Sequence, residues 1–309
     1  MRCTSPRTVG FYADGTTLCW SKHKYSKEFA NFQLPCGKCI DCRLEYARQW
    51  AVRCIHEAQM HPKNSFITLT YSDEHLKPKL DYADFQLFMK KLRKTQNEPM
   101  GLFVTGEYGE KNKRPHWHAI IFNFRPSDIK PSRTTERGDQ AYTSEMLEKL
   151  WGKGKTELGD VTFESAGYCA RYASKKLVHG QDAEHDYQPI SKKSSKHAIG
   201  KKWLEKYYES LFNYGELIIN GRAAGAIPRY YLKWLKENKP DTWRRYVTET
   251  KAKFEELAIK KEKENLKDWI ETNDRRLDRG NLTFTATQNE IRKVISKEKQ
   301  KKLQDYLKL

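Results

Sequence analysis

Arg114-Pro115-His116-Trp117-His118-Ala119-Ile120-Ile121-Phe122 is the stretch whose reading decides the fold. An apolar, aromatic run of this length reads as a β-strand. On a strand, residues two apart point to the same side. His116 and His118 therefore project together, and Trp117 points the other way. Two imidazoles side by side chelate one metal ion. A coincidental pair, with one ring satisfied by a core hydrogen bond, has the same spelling, so the flanking sequence has to decide.

Upstream, residues 100–108 form a second β-rich run, and 109–114 are a charged turn. The two runs make a hairpin, which places Glu107 opposite the histidines. Glu110 takes that place if the register differs, because hairpin register is not set by these residues alone. A carboxylate beside two imidazoles completes a His₂Glu site with open positions. Further upstream, 65–71 reads as a buried strand. Residues 81–95 read as a helix with Phe85, Phe88, Met89 and Leu92 on one side. Residues 43–60 form another helix, with Leu44, Ala47, Ala51, Cys54, Ile55 and Ala58 at helical spacing and Pro62 as its stop.

Downstream come a short helix at 143–151, a strand at 155–163 and a helix at 165–178. Tyr168 and Tyr172 are four apart on that last helix, and Lys175 falls on the same arc. Aromatic pairs at this spacing are often plain core. Gly154-Lys155-Thr156 matches the end of a phosphate-binding loop, but Lys149 occupies the position that motif gives to glycine, so no ATPase is expected. Residues 179–200 show no periodicity and read as a loop, and its Lys192, Lys193 and Lys196 are candidate phosphate contacts. Helix 203–212 and the basic-aromatic stretch 227–233 follow. After Pro240 charged residues dominate, and the chain reads as helical and extended. Strands and helices in this order suit an α+β fold, a central antiparallel sheet with helices on its faces.

The chain carries +18 net charge with a pI near 9.4. Eight Trp, seventeen Tyr and thirteen Phe accompany that charge, a mixture suited to single-stranded nucleic acid, where bases stack on rings. No apolar signal segment and no run of membrane-spanning length is evident, so no membrane partner is expected. Of seven cysteines, three lie in Cys36-x-x-Cys39-x-x-Cys42, a metal knuckle in a reducing compartment rather than a disulfide framework. Structural Zn²⁺ takes four ligands. Cys3, Cys19, Cys54 and His56 are the candidates for the fourth, and Cys3 is preferred. An iron–sulfur run would want a cysteine where Tyr46 stands.

A metal site followed by paired tyrosines and a lysine has a chemical logic. The ion neutralises charge on a scissile phosphate. A tyrosine hydroxyl attacks phosphorus and keeps the phosphate as an ester. Only about one phenol in a thousand is ionised at neutral pH, so a nearby ammonium such as Lys175 favours the phenolate. The second tyrosine can then attack the next strand, so cleavage and rejoining alternate.

His116-Trp117-His118 and Tyr168-x-x-x-Tyr172-x-x-Lys175 resemble the two main motifs of the HUH endonuclease superfamily, in its two-tyrosine branch. The strand 66–71 is similar to that family's first motif. The run GEYGEKNKRPHWH, the opening Cys3–Pro6 segment and Pro35-Cys36-Gly37-Lys38-Cys39 resemble the replication initiators of gokushoviruses, bacteriophages of the microvirus family. The resemblance covers most of residues 1–235. It implies a nick in single-stranded viral origin DNA through a 5′-phosphotyrosine intermediate, rolling-circle replication, and Mn²⁺ or Mg²⁺ as the cofactor. It also implies host helicase and polymerase as partners in the host bacterial cytoplasm. Carried over, His116, His118 and Glu107 are ligands of the catalytic ion, Tyr168 and Tyr172 nucleophiles, and Lys175 their helper. The expected domains are a cysteine-cluster segment with its helix at 1–64, an endonuclease domain at 65–240 and a charged helical tail at 241–309. Two other readings stand beside this one: a zinc-containing nucleic-acid-binding protein without catalysis, and a plasmid relaxase or transposase of the same superfamily.

Overall fold

Strand β4 (Asn64–Thr70) shows in miniature how the molecule is layered. Ser65, Ile67 and Leu69 are buried on one side, while Phe66, Thr68 and Thr70 on the other are half-buried. The computed structural model describes residues 3, 5–77, 79–109, 114–135, 138–175, 190–194 and 196–257, with scattered positions to 267, and for 172–175 the backbone only. Backbone positions fall into two compact units, Tyr46–Lys251 and a second that holds Met1–Glu45.

In the larger unit a seven-stranded sheet is antiparallel throughout. Its order is β10 (Ile190–Lys193), β5 (Gly101–Tyr108), β6 (Pro115–Phe122), β4, β9 (Thr156–Gly159), β8 (Gln140–Thr143) and β7 (Lys130–Thr134). One face carries α2 (Tyr82–Arg93) and α3 (Glu145–Trp151), packed on Ile67, Leu69, Trp117 and Ile121. The other carries α4 (Phe163–Lys175), α5 (Lys201–Tyr214) and α6 (Arg229–Asn238), joined by residues 46–58 of α1 (Ile40–Ala58). The class is α+β, as the sequence implied.

Local chemistry sets the element ends. Asp81 caps α2 by accepting the Ala83 N–H at 2.9 Å. Thr162 and Ser165 cap α4 reciprocally, each side-chain oxygen accepting the other's backbone N–H at 3.1 and 2.9 Å. Gly106 lies under the indole of Trp117, and a Cβ there would meet the ring at 2.6 Å. Gly106→Ala is expected to lower stability by about 2 kcal/mol through overpacking. A urea midpoint unchanged from wild type would refute that.

His56 on α1 has a second consequence for stability. Its ring stacks on Trp203 with centroids 3.5 Å apart, and Nδ1 lies 2.9 Å from the Tyr231 hydroxyl. Burial pulls its pKa from 6.5 down to about 3. The unfolded chain therefore binds a proton near pH 6.5 that the folded chain refuses. Stability is complete above that pH and falls as the solution is acidified toward pH 3. Acidification from pH 7 to pH 5 is expected to remove about 2 kcal/mol through this one group. His56→Gln should flatten that part of the pH–stability curve, and an unaltered slope would assign the loss elsewhere.

The structure departs from the sequence reading in several places. Residues 1–34, read as irregular, contain β1 (Arg7–Phe11), β2 (Leu18–Cys19) and β3 (Phe32–Leu34), a small antiparallel sheet in order β2-β1-β3. The supposed loop 179–200 contains the edge strand β10, while residues 176–189 lie outside the described residues. Strand β7 escaped notice because every residue in it is exposed, so no apolar alternation marks it. The basic-aromatic stretch 227–233 enters helix α6, with Tyr231, Trp234 and Leu235 inward. Strands β11 (Ile218–Ile219) and β12 (Arg222–Ala223) form a two-stranded ribbon. Past Pro240 the described chain is helical, through α7 (Pro240–Arg245) and a π-helical turn at Tyr246–Lys251, and residues 268–309 lie outside the description.

Candidate active site

The β5–β6 register sets Glu107 directly opposite His116, and Thr105 opposite His118. On the other side of β6, Thr68 of β4 lies opposite His118. All five side chains therefore share one face of the sheet. Helix α4 crosses that face and carries Tyr168 toward them. The carboxylate Oε1 of Glu107 is 2.9 Å from His116 Nε2 and 3.0 Å from His118 Nε2. Tyr168 donates its hydroxyl to the same oxygen at 3.3 Å. Its ring stands edge-on to His118, with centroids 4.9 Å apart and planes at 88°. Phe66 stacks flat on His118 at 5.7 Å.

The outer nitrogens of the two rings are held from behind. His116 Nδ1 lies 3.1 Å from the Arg114 carbonyl, to which it can only donate. This tautomer leaves Nε2 as a lone pair. His118 Nδ1 shares a hydrogen bond with the Thr68 hydroxyl at 3.0 Å. Burial holds the His118 pKa below the ordinary imidazole value, against the pull of Glu107. Burial alone would raise the Glu107 pKa, but hydrogen bonds from His116 and His118 outweigh it and hold the group ionised. Lone pairs and a negative charge thus converge in a buried place where Glu107 is 4 % exposed. Its Oε2 is buried and has no hydrogen-bond partner among the described residues. That is an environment for a cation. One donor atom from each of Glu107, His116 and His118 lies within 4.8 Å of the others, so the three can bind one ion.

Structure and sequence agree on Glu107, His116, His118 and Tyr168, which stand together. Glu110, the alternative acid, lies outside the described residues. Tyr172 and Lys175 are on α4, but their side chains lie outside the description, so the geometry assigns them no contact. Three residues escaped the sequence reading: Thr68, Phe66 and Arg171. The first two were legible as the near-side positions of strand 64–70. Arg171, whose guanidinium is 5.9 Å from the Tyr168 ring centroid, is one turn along the tyrosine helix.

In the smaller unit Cys3, Cys36, Cys39 and Cys42 form a second candidate centre. Their sulfurs lie within 4.8 Å of one another, with Cys3 to Cys39 at 3.7 Å and Cys36 to Cys42 at 4.0 Å. Gly37 has φ of 74°, the left-handed turn a knuckle needs. The backbone N–H groups of Cys36 and Cys39 donate to Cys3 Sγ and Cys36 Sγ, each at 3.2 Å. Burial pushes the Cys3 and Cys42 thiols up, so their thiolates need a cation beside them. Cys3 is thus the fourth member. The other candidates are engaged elsewhere: Cys19 donates to the Ser21 carbonyl at 3.4 Å, Cys54 is buried in the core, and His56 pairs with Tyr231.

The family model for replication-associated proteins of the ORF2 class matches residues 64–177. Replication-associated protein VP4 of Bdellovibrio phage phiMH2K is 47% identical over 319 residues, covering 100% of both chains. Replication-associated protein ORF2 of Spiroplasma virus 4 is 31% identical over 261 residues, 80% of each chain. Replication-associated protein ORF4 of Chlamydia phage 1 is 32% identical over 222 residues, 68% of this chain and 55% of that one. No solved structure matches. Similarity of this strength along the whole chain bears out the resemblance carried by the histidine and tyrosine motifs, and the chain belongs to the replication-associated proteins of these phages.

Proposed function

We propose that this protein initiates rolling-circle replication by nicking single-stranded viral origin DNA and later rejoining the ends. One observation carries the reading: the Tyr168 hydroxyl and both imidazoles meet at a single oxygen of Glu107. Tyr168 Oη attacks the scissile phosphorus, the P–O3′ bond breaks, and the 3′-hydroxyl leaves with a proton. The 5′-phosphate stays on the tyrosine as an ester. In the reverse sense a 3′-hydroxyl attacks that ester and restores the strand without hydrolysis. A divalent cation, Mn²⁺ or Mg²⁺, held by Glu107, His116 and His118 would polarise the scissile phosphate. Tyr172 on the same helix is the second nucleophile and Lys175 the helper in this scheme. The catalytic domain is taken as 65–240, with origin DNA, host helicase and host polymerase as partners in the host cytoplasm. No described helix is long and apolar enough to cross a membrane.

The test is a labelled single-stranded origin oligonucleotide incubated with the full chain and Mn²⁺. A covalent adduct should form, and mass spectrometry should place the DNA on the α4 peptide. An adduct on any other residue, or none in Mn²⁺ or Mg²⁺, would falsify the reading and favour a zinc-containing nucleic-acid-binding protein without catalysis.

The cysteine centre is proposed as structural Zn²⁺. One zinc per chain should be measured by elemental analysis, and Cys39→Ser should lose it. Zinc content unaffected by that change would remove the assignment.

A further inference from the structure

On the sheet face away from the histidines, α2 and the β5 edge enclose a groove of about 480 Å³. That volume lies in the range of small-ligand and peptide-anchor sites. The helical stripe Tyr82, Gln86, Met89 and Arg93 lines one side, and Leu102 forms the floor. Leu87 and Lys90 stand at the rim, where Leu87 is 53 % exposed on a helix whose other leucine is fully buried. In the β10–β5 register Lys192 is opposite Val104, so it rises on this same face. Its ammonium sits 5.8 Å above the Tyr82 ring. Floor and rim thus differ in character: aliphatic below, cationic above. Among the described residues no carboxylate lines the groove.

Two occupants have the matching charge, a nucleic-acid strand and an acidic peptide. The ring decides between them. A base would want an open aromatic face. Tyr82 has one face under Lys192 and packs against Phe85 and Trp117 at 6.1 and 6.0 Å. What remains open is Leu87 with the edges of Met89 and Leu102, a surface that takes a branched or aromatic side chain. We propose that this groove docks a short acidic peptide segment of a partner protein, with one large apolar anchor seated over Met89 and Leu102. Its carboxylates meet Lys90, Arg93 and Lys192. Rim charges of this kind steer the encounter, while the anchor supplies the residence time.

A fluorescein-labelled peptide of alternating aspartate and leucine, titrated into the full chain, tests this by anisotropy. Binding with Kd on the order of 10 µM is expected. Leu87→Glu, and separately Lys90→Glu with Arg93→Glu, should each weaken it roughly 10-fold or more. Adduct formation on origin DNA should stay at the wild-type level in both variants, which separates this inference from the nicking proposal. Leu87 and the two basic residues are exposed, so the variants should fold, and an unchanged thermal midpoint checks it. A lysine–leucine peptide should not bind. Peptide affinity unchanged by Leu87→Glu overturns the proposal. So does a thymidine oligonucleotide whose binding falls in the charge-reversal variant while peptide binding does not.

Discussion

Tyr168→Phe is expected to lower the yield of the protein–DNA adduct by about 10³-fold or more, because it removes the attacking oxygen and nothing can replace it at that place. The change should be nearly silent in stability. The hydroxyl makes a single long hydrogen bond to Glu107, worth about 1 kcal/mol at most. The ring that packs edge-on against Phe66 and His118 is kept. Metal affinity should also survive, since Tyr168 is not among the ligand residues. Gel analysis of the trapped complex gives the yield, and calorimetry gives the ion. Tyr172→Phe separates first attack from rejoining: wild-type adduct with little ligated product is its expected signature. Adduct at wild-type yield in the Tyr168→Phe, Tyr172→Phe double variant would end the strand-breaking account.

Glu107→Ala is expected to weaken binding of Mn²⁺ by roughly 100-fold or more, because loss of an outer partner alone already costs 10- to 100-fold at such sites. Thr68→Val supplies that comparison, since it removes only the hydroxyl behind His118 Nδ1. It should fall in the milder range. Proton competition gives a second check. Burial holds His118 neutral to lower pH than usual, so its lone pair is available across the neutral range. Mn²⁺ affinity should then be flat above pH 7 and decline only as acidification protonates the imidazoles. Mn²⁺ affinity undiminished in Glu107→Ala would show that the two histidines act without the acid.

How much of this was legible in the residues follows from where each signal sits. His116 and His118 sit in an apolar run that forms a strand in any context, so their common face could be read directly. Glu107 needed one further assumption, the hairpin register, and the structure supplies it through the Glu107–His116 pairing. The strands at 64–70 and 101–108 and the helices on either side announced themselves through buried aromatics at regular spacing. The edge elements did not. Strand β10 has one apolar residue in Ile190-Ser191-Lys192-Lys193, and β7 has none inward, because an edge strand buries little and carries lysines that discourage foreign pairing. The three short strands of the first 34 residues are too brief for any period to show. Thr68 and Arg171 were hidden for another reason. A threonine in a strand and an arginine on a helix are ordinary surface chemistry until something ionic is placed beside them.

Strand β6 carries the densest apolar packing on one side and the ion ligands on the other, with Trp117 between the two histidines. A molecule that misaligns this strand by a single position would turn indole toward the carboxylate and both imidazoles into hydrocarbon. Such a molecule has no partial competence. Titration with Mn²⁺ would therefore count, chain by chain, how many molecules in a preparation have folded in register.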